Sequence, residues 1–205
     1  MTATPPSRAR RPNRTALLII DMISSWDFPD AEALLPGAVR VTPRIAALKA
    51  RCRRDGVPVI YANDNRGRWR SQFDRLVDDS RAAGGDAARI TEILLPDDDD
   101  YFVLKPKLSA FFCTPLELLL RHLGAHRLVV TGVASDQCVL HTVADARMRD
   151  FDAVVPRDCV ASQGEERNRA VLRQIEETHK LATTPGSRIR LAGGRRREAV
   201  GSTVG

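Results

Sequence analysis

The chain has 205 residues, 43% of them hydrophobic and 28% charged, which is enough for one α/β domain with a full core. Its net charge of +6 invites a nucleic-acid partner, but residues 1–14 and 187–205 carry +4 each and leave −2 for the middle. That distribution argues against specific nucleic-acid recognition, and no apolar run approaches the ~20 residues that span a bilayer, so a membrane role is not expected either.

The N-terminus is rich in Pro and Arg and lacks the apolar stretch of a secretory signal, so a cytoplasmic location is expected. Residues 15–21 read as a buried strand ending in the carboxylate of Asp21. Pro36 to Arg54 has helical periodicity (Val39, Val41, Ile45, Leu48) and stops at Gly56. Residues 57–63 form a second strand, and residues 64–80 a polar loop leading into a short helix. A short helical piece lies between Gly84-Gly85 and the acidic run Asp97 to Asp100, which reads as a solvated loop. Residues 101–105 are a third strand, ending in Lys105. Thr114 caps a helix that Gly124 ends. A fourth strand at 127–131 leads into a helix at 136–148, a fifth strand follows at 153–155, and a last helix runs from Glu165 to Thr178. A weak sixth strand is expected at 189–191.

Strands alternating with helices predict a three-layer α/β/α sandwich around a mostly parallel, six-stranded sheet. The domain is expected to span residues 15–186, with basic tails at 1–14 and 187–205. Ligands in such folds bind at the carboxyl ends of the strands. Asp21, Lys105 and the turn before Cys138 all fall there.

Cys138 follows an apolar run, a Gly132 turn and Ser135-Asp136, a pattern that caps a helix carrying a thiol in its first turn. Unpaired N–H groups at a helix start favour thiolate and can lower a cysteine pKa below its free value of roughly 8.5. They can also hold an oxyanion. An aspartate to take the thiol proton and a lysine to hold that aspartate complete a nucleophilic set. Cys52, Cys113 and Cys159 read as structural; no cysteine falls in a CxxC pair and no Cys/His cluster has zinc spacing.

Three segments, Ala16-Leu17-Leu18-Ile19-Ile20-Asp21-Met22, Leu104-Lys105-Pro106-Lys107-Leu108-Ser109-Ala110-Phe111-Phe112 and Gly132-Val133-Ala134-Ser135-Asp136-Gln137-Cys138-Val139, stand in the order found in the isochorismatase-like cysteine hydrolases. The chain resembles that family, which includes nicotinamidase, N-carbamoylsarcosine amidase and isochorismatase, over residues 15–182. The resemblance implies Asp21 as general base, Lys105 as the third member of the triad and Cys138 as nucleophile. Lys105, four positions before Ser109, matches the family lysine, and Lys107 would point to the other side of a continuing strand. The resemblance also implies a cis peptide at Val133–Ala134 and an oxyanion hole from the N–H groups of Ala134 and Cys138. It implies a small-molecule substrate and a homo-oligomer, either dimer or tetramer.

Isochorismatases of this family typically lack the nucleophilic cysteine, so Cys138 favours amide or carbamoyl C–N cleavage through a thioester. Ether hydrolysis and an inactive binding scaffold are the alternatives. Nicotinamidases carry a metal on an Asp and nearby histidines after the second strand; here that loop holds Asp64 but no His, and neither metal nor cofactor is expected. Trp69, in Arg66-Gly67-Arg68-Trp69-Arg70, either stacks on a planar substrate group or anchors the loop, and the arginines read as surface residues. Trp26 and Phe28 read as pocket wall. His141, one turn beyond Cys138, reads as a packing residue.

Overall fold

The computed structural model describes residues 14–192 apart from 68 and 71. Its centre is a six-stranded sheet in which every strand pairing is parallel. The strands are β1 (Arg14–Ile20), β2 (Val59–Asp64), β3 (Tyr101–Lys105), β4 (Ala125–Val133), β5 (Asp152–Val154) and β6 (Val160–Ala161), in the spatial order β3-β2-β1-β4-β5. β5 pairs with the middle of β4, and β6 with its carboxyl end. β3 is therefore an edge strand, with β2 as its neighbour.

Alternation along the strands divides the core into two layers. Leu17, Ile19, Val59, Tyr61 and Val129 face the helices α1 (Ala31–Arg54), α2 (Phe73–Ala82) and α3 (Gly85–Ile93). Ala16, Leu18, Ile20, Ile60 and Val130 face α4 (Leu116–His122), α5 (Leu140–Met148) and α6 (Glu165–Glu177). These are the three layers predicted from the sequence.

Several local expectations change. α1 begins at Ala31, so Pro36 lies inside it instead of opening it. Ala31 and Leu34 are buried in the core, and that burial extends the helix ahead of the proline. The acidic run before β3 is a solvated loop at Asp97, Asp98 and Asp99, as expected, but the side chain of Asp100 is buried and the run is ion-paired. Asp100 and Asp97 hold the Lys49 ammonium at 2.8 and 2.9 Å, and Arg53 pairs with Asp97 and Asp99 at 2.7 and 2.8 Å. This network ties α1 to the segment entering β3. The sixth strand is Val160–Ala161, not residues 189–191. Gly186–Arg188 form a turn of 3₁₀ helix, Ile189 enters the core, and the N–H of Thr15 donates to the carbonyl of Ala192 at 2.9 Å. The folded body thus continues past residue 186 to Ala192, while the remainder of both basic tails lies outside the described residues. Among the described residues, no helix is long and apolar enough to cross a membrane.

Candidate active site

Three strand ends supply the polar centre. The chain leaves β1 at Asp21 in a left-handed turn (φ 52°), with its N–H on the carbonyl of Ala62 at 3.0 Å. That turn aims the carboxylate across the end of β2. Oδ1 accepts the backbone N–H of Asp64 at 2.7 Å, and Oδ2 lies 2.9 Å from Lys105 Nζ. Lys105 ends β3 and is fully buried. Its ammonium lies 3.2 Å from Cys138 Sγ, 3.5 Å from Asp64 Oδ2 and 3.4 Å from the carbonyl of Lys107. Lys107 itself is exposed and contributes only that carbonyl.

Cys138 does not sit in the first turn of an ordinary helix. Ser135–Val139 form one wide π turn, closed by the N–H of Val139 on the carbonyl of Ala134 at 3.2 Å, and α5 begins only at Leu140. Neither Ser135 nor Asp136 caps it. Asp136 instead accepts the Ser162 hydroxyl at 2.6 Å and lies 3.5 Å from Arg167, which pins the turn to β6 and α6. Before the turn the Val133–Ala134 peptide is cis. Gly132 has φ 106°, and a Cβ there would lie 2.0 Å from the carbonyl oxygen of Ile20, so only glycine lets β4 approach the end of β1 this closely.

The pull on the sulfur runs opposite to the sequence expectation. Burial pushes the Cys138 thiol up, and the neighbouring Asp21 carboxylate pushes in the same direction, while Lys105 opposes them. Burial pulls Lys105 down, but Asp21, the Cys138 sulfur and Asp64 outweigh it, and the ammonium is held above the ordinary lysine range.

Cys138 and Asp21 open into a cavity of about 670 Å³, whose wall includes Phe28, Asp64, Arg66 and Ala134. Phe28 is at the wall, as expected. Trp26 is not; it is buried in the core behind Phe28, with ring centroids 5.8 Å apart. Trp69 is 83% exposed and lines an adjoining surface depression of about 650 Å³ with Arg70 and Arg75, which shares Arg66 with the cavity. It neither anchors its loop nor reaches the cavity. Arg66, read as a surface residue, does line the cavity: its guanidinium is held by Asp27, by Ser25 Oγ at 2.7 Å and by Ser24 Oγ at 3.0 Å. His141 is exposed and bonds the carbonyl of Gln137 at 2.7 Å. β2 runs one residue further than the sequence suggests, to Asp64, which places that carboxylate at a strand end beside Asp21 and Lys105.

A family model for the isochorismatase domain matches residues 15–185. The chain belongs to the isochorismatase family. It is a hydrolase by that membership. An uncharacterized isochorismatase family protein of Bacillus subtilis is 37% identical over 161 residues, 78% of this chain and 88% of the relative. The N-carbamoylsarcosine amidase of an Arthrobacter species is 29% identical over 163 residues, 74% of this chain and 61% of that protein. Among solved structures, an isochorismatase family protein from Desulfovibrio vulgaris superposes with a TM-score of 0.67 at 25% identity, covering 85% of this chain and 95% of that one.

Proposed function

We propose that this isochorismatase-family chain hydrolyses a C–N bond of a small amide or carbamoyl compound through a thioester on Cys138. The observation that carries this reading is the buried Lys105 ammonium, 2.9 Å from Asp21 and 3.2 Å from the Cys138 sulfur, behind an open cavity. A relative named N-carbamoylsarcosine amidase supports the bond type.

Burial and the Asp21 carboxylate both favour the protonated sulfur, so in this mechanism the proton leaves as the attack proceeds. Asp21 takes it from Cys138 while the sulfur bonds to the carbonyl carbon. The N–H groups of Ala134 and Cys138 hold the resulting oxyanion. Asp21 then gives the proton to the departing nitrogen, the C–N bond breaks, and the thioester remains. Water, deprotonated by Asp21, attacks the thioester and restores the thiol. Lys105 stays protonated throughout and holds Asp21 in line. Oligomeric assembly and a cytoplasmic location belong to the same proposal.

The test is ammonia release from a panel of small amides and carbamoyl compounds by wild type and Cys138→Ala. Release that vanishes with the substitution is expected. Release that survives it would sink the thioester mechanism.

A further inference from the structure

The whole chain is basic, but its cavity is not. Among the described residues, the wall carries the carboxylates of Asp21, Asp27, Asp30 and Asp64 against the guanidinium of Arg66, with the Lys105 ammonium directly behind. Counted over those residues, negative groups exceed positive ones by two. Two of the four carboxylates are matched: Asp21 by Lys105, and Asp27 by Arg66. Asp64 leans on the already shared Lys105 at 3.5 Å. Among the described residues Asp30 has no such partner. It precedes α1 with φ 63° and makes no side-chain capping bond to it.

One further polar group lies in the same wall. Asn63, almost fully buried, donates its amide nitrogen to the carbonyl of Ile23 at 2.7 Å. That bond fixes which way the amide faces and leaves Oδ1 buried with no hydrogen-bond partner among the described residues. The oxygen is sealed from solvent, so the selection is carried by charge and by the cavity that holds it.

We propose that the cavity selects small amides whose far end is cationic, with Asp30 meeting the positive charge and carboxylate-bearing amides disfavoured. This rests on the hydrolase reading above. Arg66 does not reverse it, because Asp27, Ser24 and Ser25 already hold its guanidinium.

The test is built so that the two readings fail separately. Cys138 of the full-length protein is modified at low ionic strength with aminoethyl, hydroxyethyl and sulfonatoethyl methanethiosulfonate, which are cationic, neutral and anionic, and the rates are read by peptide mass spectrometry. The cationic-to-anionic rate ratio at Cys138 is expected to exceed that of free mercaptoethanol by about tenfold or more. Asp30→Asn, which keeps a residue that tolerates positive φ, is expected to lower the ratio about threefold. A ratio at or below that of the free thiol overturns the proposal, as does indifference to Asp30→Asn. Reaction with none of the reagents also overturns it, since the cavity would then admit no ligand to the sulfur. Among matched amides, β-alaninamide should be hydrolysed faster than butyramide and butyramide faster than succinamate; the reverse order overturns the proposal. A high charge ratio with no Cys138-dependent hydrolysis would instead count against the hydrolase reading alone.

Discussion

Asp21 and Lys105 meet across a strand that contributes neither of them. Asp21 follows β1, Lys105 ends β3, and β2 lies between, yet Oδ2 and Nζ are 2.9 Å apart over its carboxyl end. Asp64, the last residue of β2, fills the gap by donating its N–H to the other carboxylate oxygen. Replacing Lys105 by Met keeps the length of the side chain and removes the charge. Hydrolysis is expected to fall by at least about a hundredfold. Stability should fall by up to about 3 kcal/mol, less than the full loss for a buried pair, because Asp21 keeps its bond to Asp64 and some contact with solvent. Steady-state kinetics and urea unfolding check both.

Asp21→Asn separates the base from its electrostatic effect. The amide oxygen can still accept the Asp64 N–H, but the proton acceptor is gone, so turnover is expected to drop by about 10²–10⁴-fold. The Asp21 charge also holds the Cys138 thiol up, after burial itself. Removing that charge moves thiol ionisation to lower pH, so alkylation of Cys138 at pH 8 should become faster while turnover becomes slower. A parallel loss of both would contradict the assigned role.

Alkaline pH should destabilise the fold from about pH 9 upward. Burial pushes the Cys52 thiol from 9.0 up to about 12 and the Tyr61 hydroxyl from 10.0 up to about 12, and it also raises Cys159. Each group keeps its proton in the folded chain at pH values where the unfolded chain has released it. The stabilisation is whole below the unfolded pKa and is lost as pH rises towards the folded one. Cys52→Ala should flatten part of this decline while lowering the pH 7 baseline through the cavity it leaves. Thermal melts between pH 7 and 11 test it.

Gly132→Ala is expected to be severe. The added methyl group would strike the Ile20 carbonyl, and the backbone there has φ 106°. A stability loss of about 2–4 kcal/mol is anticipated. Activity should fall further than unfolding explains, because Ile20 immediately precedes Asp21. Wild-type activity per folded molecule would refute the coupling.

The positions of Asp21, Lys105 and Cys138 are legible because strand ends in a parallel sheet are legible. Apolar runs mark the strands, and whatever polar residue terminates them faces the site. The same logic marks Asp64 once β2 is seen to extend to it. The wide turn at Ser135–Val139 left no trace, because its five-residue closure depends on tertiary bonds from Ser162 and Arg167 to Asp136. β6 escaped because a two-residue strand has no period to detect. Trp26 and Trp69 were misplaced because aromatic character alone does not distinguish a core residue from an exposed one, and Arg66 was missed because its partners Ser24, Ser25 and Asp27 lie about forty residues away in sequence.

The position of β3 at the sheet edge has a consequence for how the site fails. Its backbone is paired on one side only, by β2, and its entry is secured by Lys49 and by the stacking of Phe102 on Phe73 at 4.9 Å. An edge element can fray while the central strands persist. Fraying of β3 would withdraw the ammonium and leave the sulfur and the carboxylate facing each other without it, so the proposed site is expected to lose its geometry before the central strands do.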